Sequence, residues 1–571
     1  MSSTAEKTKS GEQPDDYADA ESNFQPKSPK FWLIMSGMYL SVFLVALDRT
    51  IIATAIPAIS NEFHSINDIG WYGSAYMLTG ASFNPVFGRI YQLYSTKWTF
   101  LSSIVIFEVG SAICGAAPTS TAFIIGRSIA GIGSAGIFSG GMMIIIPLVP
   151  LRKRPMFTSI FGMTFALSSV IAPIIGGAFT DKVTWRWCFY LNLPIGGFTI
   201  IALLLFFHVP SPQRSLPGVM TQIKHLDPLG VFLFIPSIVC LILALEWGGS
   251  AYAWSAPKMI GLLVTFAVLL VLFGIVEVLT PETAMIPTRV VLNRSIASSM
   301  LFMFLISGAM MSVVYYLNIW FQVVKGDSAT RAGISTIPMV LSLVIMSVLS
   351  AAFTQRIGYY VPSMLIAPVL CSIGGGLLST LSASSNHRSW IGYQVVFGLG
   401  IGCGFQTSNL AAQAVLPRVD VPIGMALMFF MQQLGGAILL AVDQNLLTTK
   451  LVGRLSHVAG LDAEAIINTG ATDIRDMVPS GELDTVVGAY NYALTRIFIV
   501  TAALSACAIL GALAVEWRSI KTGGPKGSAA TSENVSDENR NDVEKGNRTQ
   551  EDDRDQPVDS TTEPHERKLV V

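Results

Sequence analysis

The sequence predicts an all-α polytopic membrane protein with 14 transmembrane helices. Of its 571 residues, 51% are hydrophobic and 13% are charged, and the mean hydropathy is +0.56. A soluble globular protein carries charge on about a quarter of its residues. Of the 36 basic and 37 acidic residues, 30 lie within residues 1–30 and 521–571, so the region between them is still poorer in charge. Lipid is therefore its solvent, which disfavours soluble enzymes, nucleic-acid binders and secreted disulfide scaffolds.

Fourteen apolar runs are long enough to cross a membrane. About 20 helical residues at about 1.5 Å each span a hydrocarbon core of about 30 Å. Backbone groups in lipid are satisfied within a helix, and runs of this length exclude the shorter strands of a barrel. The predicted spans lie near residues 32–54, 71–91, 98–117, 122–146, 158–179, 187–208, 229–246, 258–279, 297–321, 333–352, 361–382, 391–414, 423–447 and 491–516.

The basic residues predict the orientation of these spans. Loops after even-numbered spans hold most of them, for example Arg152, Lys153 and Arg154 after span 4, whereas the loops after spans 1 and 3 hold none. The positive-inside rule therefore places both termini in the cytoplasm.

The two chain ends and one loop are predicted to lie outside the membrane. Residues 1–30 and 519–571 are too polar to bury an apolar core, so we expect disordered cytoplasmic tails. The stretch from about 448 to 490 is predicted to be the one long external loop.

Residues suited to metal or covalent chemistry are sparse. The six cysteines are scattered singly without a C-x-x-C spacing, which is typical of small buried apolar residues. The six histidines lack the spacing of a di-iron site, and no Gly-x-Ser-x-Gly motif occurs. We therefore expect no metal, no cofactor, no enzymatic activity and no nucleic-acid partner.

Ionisable residues at membrane depth are few, and each costs about 2.5 to 3.5 kcal/mol to insert. Asp48 and Arg127 are the leading pair, because the affinity of a buried carboxylate for a proton depends on the cation beside it. Such a pair is a proton-responsive switch, and the alternative is a static salt bridge between helices. The others are Arg49, Glu108 and Asp443 within spans, and Glu246 and Glu277 at span ends, where we expect the side chains to snorkel.

Glycine and proline are dense in spans 4 and 5. Gly131 of span 4, and Gly176 and Gly177 of span 5, allow helices to approach closely. Pro173 removes a backbone hydrogen bond and permits a kink. Both features suit helices that slide, and plain tight packing is the alternative.

Several motifs together resemble those of a known family. Leu47 to Ile59 (LDRTIIATAIPAI) resembles the span 1 signature of the fourteen-span drug:proton antiporters of the major facilitator superfamily. Gly126 to Gly133 (GRSIAGIG) resembles the superfamily's span 4 motif, and Ala172 to Gly177 (APIIGG) its antiporter motif. Trp185 to Gly197 (WRWCFYLNLPIGG) is the most specific match to the fourteen-span group. The resemblance covers residues 31–518, and within the group it is best to fungal toxin-efflux pumps.

This resemblance implies an architecture and a function. Two six-helix bundles, residues 31–208 and 297–518, would rock around a site at mid-membrane, with two extra helices in the linker 209–296. The function would be proton-coupled efflux of a hydrophobic or amphipathic small molecule, such as a fungal toxin or a drug. Asp48 and Arg127 would couple the proton.

The remaining candidate residues fall into two sets, for which interhelical packing is the alternative. Residues in the matching motifs that would take part in gating are Arg49, Gly131, Pro173, Gly176, Gly177 and Arg186. Polar residues that would face substrate in the cavity are Asn318, Gln322, Gln406, Gln413 and Gln433.

The loop between spans 2 and 3 departs from the superfamily pattern. Gly88 and Arg89 are followed by Gln92 where an aspartate is usual. We therefore do not expect a charge-based lock at this loop.

Other functions stay open from the sequence. Fourteen-span relatives also include siderophore and amino-acid carriers, although the scarcity of acidic residues favours a neutral or amphipathic cargo. A transporter-like sensor or receptor is the alternative of another class, since such proteins carry long tails. We expect the protein to function as a monomer. Its expected partners are the lipid bilayer, protons and a small-molecule substrate. The plasma membrane is the expected location, with a vacuolar or vesicle membrane as the alternative.

Overall fold

The computed structural model is almost entirely helical. It describes residues 24–64, 68–207, 218–249, 252–455 and 482–521, and no strand occurs among these residues beyond two isolated bridges. The predicted all-α fold is confirmed. Nearly all of the two predicted tails lies outside the described residues, as does the middle of the predicted external loop.

Fourteen long helices among the described residues coincide with the predicted spans, and we number them α1 to α14. Within the part of the chain that the structure describes, twelve helical stretches are long and apolar enough to cross a membrane. Helices α2 and α5 are not among these twelve, so the count of 14 spans stays a prediction. The helices are α1 Pro29–Phe63, α2 Ile69–Leu93, α3 Thr96–Ala116, α4 Ser120–Leu148, α5 Arg154–Lys182, α6 Asn192–Phe206, α7 Pro228–Trp247, α8 Pro257–Leu279, α9 Arg294–Val323, α10 Ile337–Ile357, α11 Val361–Leu378, α12 His387–Gly404, α13 Val421–Leu455 and α14 Leu483–Ala514.

Buried apolar side chains form two large clusters. One draws almost entirely on α9 to α14, and the other mainly on α1 to α8 together with the start of α13. Between these two halves of the chain, the main contacts are α2 with α13 and α5 with α10. Helix α8 packs chiefly against α7 and is the least buried of the apolar helices. The exact domain boundaries stay a prediction.

Both ends of the helical body lie on one side, which we call the terminal side. Tyr360, at the start of α11, donates its hydroxyl to the carbonyl of Glu516 just beyond α14. Tyr39, near the start of α1, donates to the carbonyl of Phe157 near the start of α5. Pro155 at the start of α5 and Thr354 near the end of α10 line one small pocket, and Thr354 Oγ1 lies 3.2 Å from Ser363 Oγ near the start of α11. Helix α1 therefore begins, and α14 ends, on this side, and the opposite side is called the far side.

Two of the three motif glycines lie at close helix contacts. A Cβ on Gly131 of α4 would overlap Thr79 Oγ1 and the backbone carbonyl of Tyr76 on α2. A Cβ on Gly176 of α5 would overlap Thr54 Oγ1 of α1. Gly177 has no atom within 4 Å of this position. The chain therefore needs glycine for packing at Gly131 and Gly176.

Gly131→Ala is expected to destabilise the protein, because the overlap includes backbone that cannot rotate away. Overpacking of this kind costs about 1 to 3 kcal/mol. Thermal unfolding of the purified protein in detergent measures it, and the expected result is a lower midpoint. Gly177→Ala is the matched control, since alanine in an open helical position gains up to about 1 kcal/mol over glycine. Equal midpoints for the two variants would contradict the packing role of Gly131.

Candidate functional site

A buried ion pair joins α1 to α4 in the N-terminal half. Arg127 Nη1 lies 2.5 Å from Asp48 Oδ2, and the two side chains are 1% and 0% exposed. Arg127 Nε donates to the Tyr72 carbonyl of α2 at 2.9 Å, and its guanidinium lies 4.4 Å from the centroid of the Tyr76 ring. The cation is thus held by a carboxylate, a carbonyl and an aromatic face. The structure brings together the two residues that the sequence analysis singled out.

The second oxygen of Asp48 connects the pair to two more helices. Asn192 of α6 donates its amide to Asp48 Oδ1 at 3.3 Å and to Ser111 Oγ of α3 at 3.0 Å. Removing one partner of a buried ion pair costs about 3 to 5 kcal/mol, because the other charge is left uncompensated. The sequence analysis missed Asn192. The sequence feature that could have indicated Asn192 is its position as a lone amide within the largely apolar WRWCFYLNLPIGG motif.

A cavity of about 320 Å³ lies between the two halves of the chain, within the size range of small-molecule sites. Its walls come from the centres or far-side halves of α1, α2, α7, α9 and α13, so it belongs to the far-side half of the molecule. Arg49, the neighbour of Asp48 in the chain, lines it and donates to Gln433 Oε1 at 2.7 Å. The lining residues are Arg49, Ser74, Met77, Ala81, Ile242, Leu245, Glu246, Met311, Tyr315, Tyr316, Gln433, Gly436, Ala437, Leu440, Ala441 and Gln444.

Helix α7, one of the two inserted helices, forms part of the cavity wall. It contributes Ile242, Leu245 and Glu246. Glu246 faces the cavity and is exposed there, so the expectation that it snorkels stays a prediction. The same expectation for Glu277 of α8 is wrong. Its side chain is 3% exposed, and Oε2 accepts the backbone N–H of Ile286 at 3.1 Å.

On the terminal side, α2 and α13 are in contact. A Cβ on Gly88 would lie 2.6 Å from the Ala426 Cβ, so only glycine allows this approach. Deeper between the halves, the rings of Phe138, Phe161 and Phe429 pack with centroids 5.7 to 6.1 Å apart. We call these three residues the phenylalanine cluster. This apolar packing closes the molecule between the cavity and its terminal side.

An ion pair lies at the rim of this closure. Asp420, just before α13, accepts from Arg289 at 2.8 and 3.1 Å and from Gln92 Nε2 of α2 at 3.1 Å. These bonds raise the pKa of the Arg289 guanidinium. Arg89 of α2 donates to the His225 carbonyl at 2.8 Å. The ion pair at this rim joins Arg289 to Asp420, and α2 contributes the neutral amide of Gln92. The expectation of no charge-based lock at the loop after α2 is therefore not contradicted by these contacts.

Arg186 fastens the far-side ends of three elements together. Its guanidinium donates to the carbonyls of Gly115 and Ala117 at 2.9 and 2.8 Å and to Glu62 at 2.8 Å. Glu62 also accepts from the Trp185 indole at 2.6 Å. Chiefly this indole bond, and then Arg186, lowers the pKa of Glu62. Arg186 therefore links α1 and α3 to the start of the α6 region.

The predicted cavity residues are found in different surroundings. Gln433 lines the cavity, and Gln406 lines a smaller pocket between α5 and α10. Gln413 is buried and accepts from Arg154 Nη1 at 3.5 Å. Asn318 donates to the Val314 carbonyl in its own helix at 2.8 Å, and Gln322 is not among the lining residues. Pro173 lies within α5, and contact of any of these with substrate stays a prediction.

Comparison with known proteins places this geometry in a family. The family model described as Major Facilitator Superfamily matches residues 38–440. "MFS-type efflux pump MFS1" of Arthroderma benhamiae is 50% identical over 496 residues, covering 86% of this chain and 92% of that protein. "Efflux pump aflT" of Aspergillus parasiticus is 45% identical over 510 residues, covering 89% and 99%. The crystal structure of the human organic anion transporter MFSD10 (TETRAN) covers 84% of this chain and 100% of its own, with a TM-score of 0.55 and 14% identity, which shows the fold.

The apolar helices, the buried charges and the cavity between two helical halves define a multi-pass membrane transporter. The chain belongs to the Major Facilitator Superfamily, which confirms the resemblance seen in its motifs.

Asp420→Asn is expected to loosen the terminal side, because it removes the charge that holds Arg289 and Gln92. The Arg289 side chain is 59% exposed, so the pair contributes about 1 kcal/mol and opening should rise about two- to fivefold. Cys403 is 3% exposed and lines the small pocket between α5 and α10. Its labelling rate with a membrane-permeant thiol reagent, in a variant that keeps only this cysteine, measures the opening.

The matched control for this measurement is Asp327→Asn. It removes an exposed i,i+4 pair with Arg331, 3.2 Å long, in the far-side connection after α9. Labelling of Cys403 should not change in this control. An unchanged rate in Asp420→Asn as well would contradict the role of the rim ion pair.

Proposed function

We propose that this chain exports a hydrophobic or amphipathic small molecule in exchange for protons. The observation that carries the proposal is the buried Asp48–Arg127 pair, one residue from the cavity-lining Arg49. A transporter needs a group whose protonation changes the helix packing around its substrate site. Loss of the charge on Asp48 would release Arg127 and alter contacts among α1, α2, α4 and α6.

The orientation follows from the positive-inside rule. The terminal side carries the basic loops and would face the cytoplasm. The cavity then opens toward the outside, while α2, α13 and the phenylalanine cluster close the cytoplasmic side. This is one of the two states expected of alternating access, in which two bundles rock around a central site.

Proton uptake would drive the return to the cytoplasm-facing state. A proton from outside neutralises Asp48, and the uncompensated Arg127 then favours a different packing of the four helices. Release of the proton on the cytoplasmic side restores the pair. Each charge that crosses 100 mV supplies about 2.3 kcal/mol, which is more than a tenfold concentration ratio requires.

The composition of the cavity supports an apolar or amphipathic cargo. Most of its lining is apolar or aromatic, and Arg49 and Glu246 are the ionisable residues other than tyrosine among the lining residues. A siderophore carrier or a basic amino-acid carrier would favour a more acidic site. The relatives named as efflux pumps support export over uptake.

The same features support a proposal for the oligomeric state of the protein and for the membrane in which it works. The ion pair and the cavity are both formed within one chain, which supports a functional monomer. The plasma membrane is the location that export of a toxic compound needs, and a vacuolar or vesicle membrane would serve sequestration instead.

Asp48→Asn is expected to abolish coupled export, because the amide neither binds the proton nor neutralises Arg127. First, a yeast strain without its own efflux pumps is screened with a panel of toxic apolar compounds to find one that the wild-type protein exports. Proton flux driven by that compound is then measured in proteoliposomes. Asp484→Asn, on the exposed first turn of α14, is the control and should transport at the wild-type rate.

Two results would contradict the proposal. Export of no compound by the wild-type protein would exclude efflux of this class. Wild-type proton flux in Asp48→Asn would show that another group couples the proton.

Tyr315→Ala is expected to weaken substrate recognition, because its ring is 54% exposed although it lies on the cavity wall. Loss of a stacking surface worth about 1 kcal/mol should raise the KM about fivefold and leave the maximal rate nearly unchanged. Initial export rates over a range of substrate concentrations measure this. Phe353→Ala on α10, an exposed aromatic residue outside the cavity lining, should change neither constant. A KM in Tyr315→Ala that equals the wild-type value would place substrate elsewhere.

A further inference from the structure

Glu108 of α3 is a buried acid that the proposed mechanism has not used. Its side chain is 8% exposed. Neither carboxyl oxygen has a hydrogen-bond partner among the described residues. A buried carboxylate without donors or a counter-ion costs far more free energy than the neutral acid. The surroundings of Glu108 therefore favour its protonated form.

The carboxyl fits into a slot on the surface of α6. A Cβ on Gly196 would overlap Glu108 Oε1 and Cδ, so the slot exists because residue 196 is glycine. One helical turn away, Ser111 of α3 faces Asn192 of α6 at 3.0 Å. The two antiparallel helices thus meet in two successive layers, Glu108 with Gly196 and Ser111 with Asn192.

The second of these layers leads directly to the ion pair. Asn192 donates to Asp48 Oδ1 at 3.3 Å. Helix α3 runs from the terminal side to the far side, so Glu108 lies about 4.5 Å nearer the terminal side than Ser111. Two acids of the same half therefore lie in series across the membrane, with Asp48 nearer the far side and the cavity.

Few charges on the neighbouring helices can compensate an ionised Glu108. Helix α4 has Arg127 as its one ionisable residue, and α6 has none. Arg127 is already paired with Asp48, whose negative charge acts on Glu108. The other charged residues on adjacent elements are Lys97 at the start of α3 and Arg89 near the end of α2, which donate to the carbonyls of Leu204 and His225 rather than to Glu108. The remaining titratable groups are neutral ones, namely Cys114 on α3, Tyr72, Tyr76 and Tyr91 on α2, and Cys188 and Tyr190 on the helix Trp187–Tyr190.

We propose that Glu108 is a second proton-binding site, in series with Asp48 on the side of the chain termini. While Asp48 is ionised and paired, its charge keeps the proton on Glu108. When Asp48 binds a proton from the far side, that negative charge disappears and Arg127 loses its partner. Glu108 can then release its proton toward the terminal side. One proton is gained and one is lost, so the charge of the cluster is conserved.

The cycle closes when the proton on Asp48 moves to Glu108, which restores the ion pair. Ser111 and Asn192 line the interval between the two acids. This inference rests on the proposed proton coupling, but the presence of a proton on Glu108 can be tested without any substrate.

Infrared spectroscopy of the purified full-length protein in detergent tests it directly. The C=O stretch of a protonated carboxyl is followed while the pH is raised. Glu108→Gln should lose one such band that the wild type shows near neutral pH. In Asp48→Asn, the same band should disappear at a pH lower by about one unit, because the neighbouring negative charge is gone.

The matched control is Glu277→Gln. Glu277 is a buried acid of α8 whose Oε1 also has no partner among the described residues. This variant should lose a different band and leave the titration of the Glu108 band unchanged. Glu108→Ala, which leaves a small void and no polar group, replaces Glu108→Gln if the amide variant does not fold.

The outcomes separate this inference from the proposed function. If Glu108→Gln and Glu108→Ala both keep every wild-type band, Glu108 holds no proton and the inference is overturned, whatever Asp48→Asn does to transport. If the Glu108 band titrates identically in the wild type and Asp48→Asn, the two acids are not coupled, which also overturns it. If the band behaves as expected while Asp48→Asn transports normally, the proposed coupling role of Asp48 fails instead.

Discussion

The ion pair between Asp48 and Arg127 is the interaction on which the N-terminal half depends. Both side chains are almost fully buried, where an unpaired charge would be very costly. The pair fixes α1 against α4, the Tyr72 carbonyl brings in α2, and Asn192 brings in α6. A change of one proton at Asp48 therefore alters the contacts of four helices at once. The cavity begins at the next residue, Arg49.

The terminal side of the molecule is closed by direct contacts between the two halves, whereas the far side contains the cavity. On the terminal side, close helix contact at Gly88 and the phenylalanine cluster supply apolar packing, and the Asp420–Arg289 pair adds a small electrostatic contribution at the rim. On the far side, α2 and α13 both line the cavity, which lies between them. The Asp420 carboxylate is buried, but its partner Arg289 is 59% exposed, so opening of the terminal side separates a pair that is already partly solvated. Separation of the Asp48–Arg127 pair is the more costly of the two, because both of its side chains are buried.

The sequence predicted much of the fold and the centre of the site. Apolar runs located the helices because lipid requires about 20 apolar residues per span. Asp48 and Arg127 stood out because charge at membrane depth is rare. The direction in which a side chain points was not predictable. Glu246 faces the cavity because of how α7 is rotated, and no periodic signal in a uniformly apolar helix reveals that rotation.

Contacts between distant parts of the chain were equally hidden. Gln92 and Asp420 are 328 positions apart, and no feature of the sequence around Gln92 indicated that its neutral amide would reach this carboxylate. The isolated position of Glu108 depends on the packing of Gly196 against it. In each case the partner comes from another helix, and its identity requires the three-dimensional arrangement.

Distances between spin labels test most directly whether the charge on Asp48 controls the conformation. One pair of labels, at Thr119 and Arg388, spans the far side, and another, at Arg152 and Arg356, spans the terminal side. On lowering the pH, the wild-type protein should shorten the first distance and lengthen the second, whereas Asp48→Asn should show the low-pH distances throughout. If Asp48→Asn changes with pH as the wild type does, the ion pair does not control the transition.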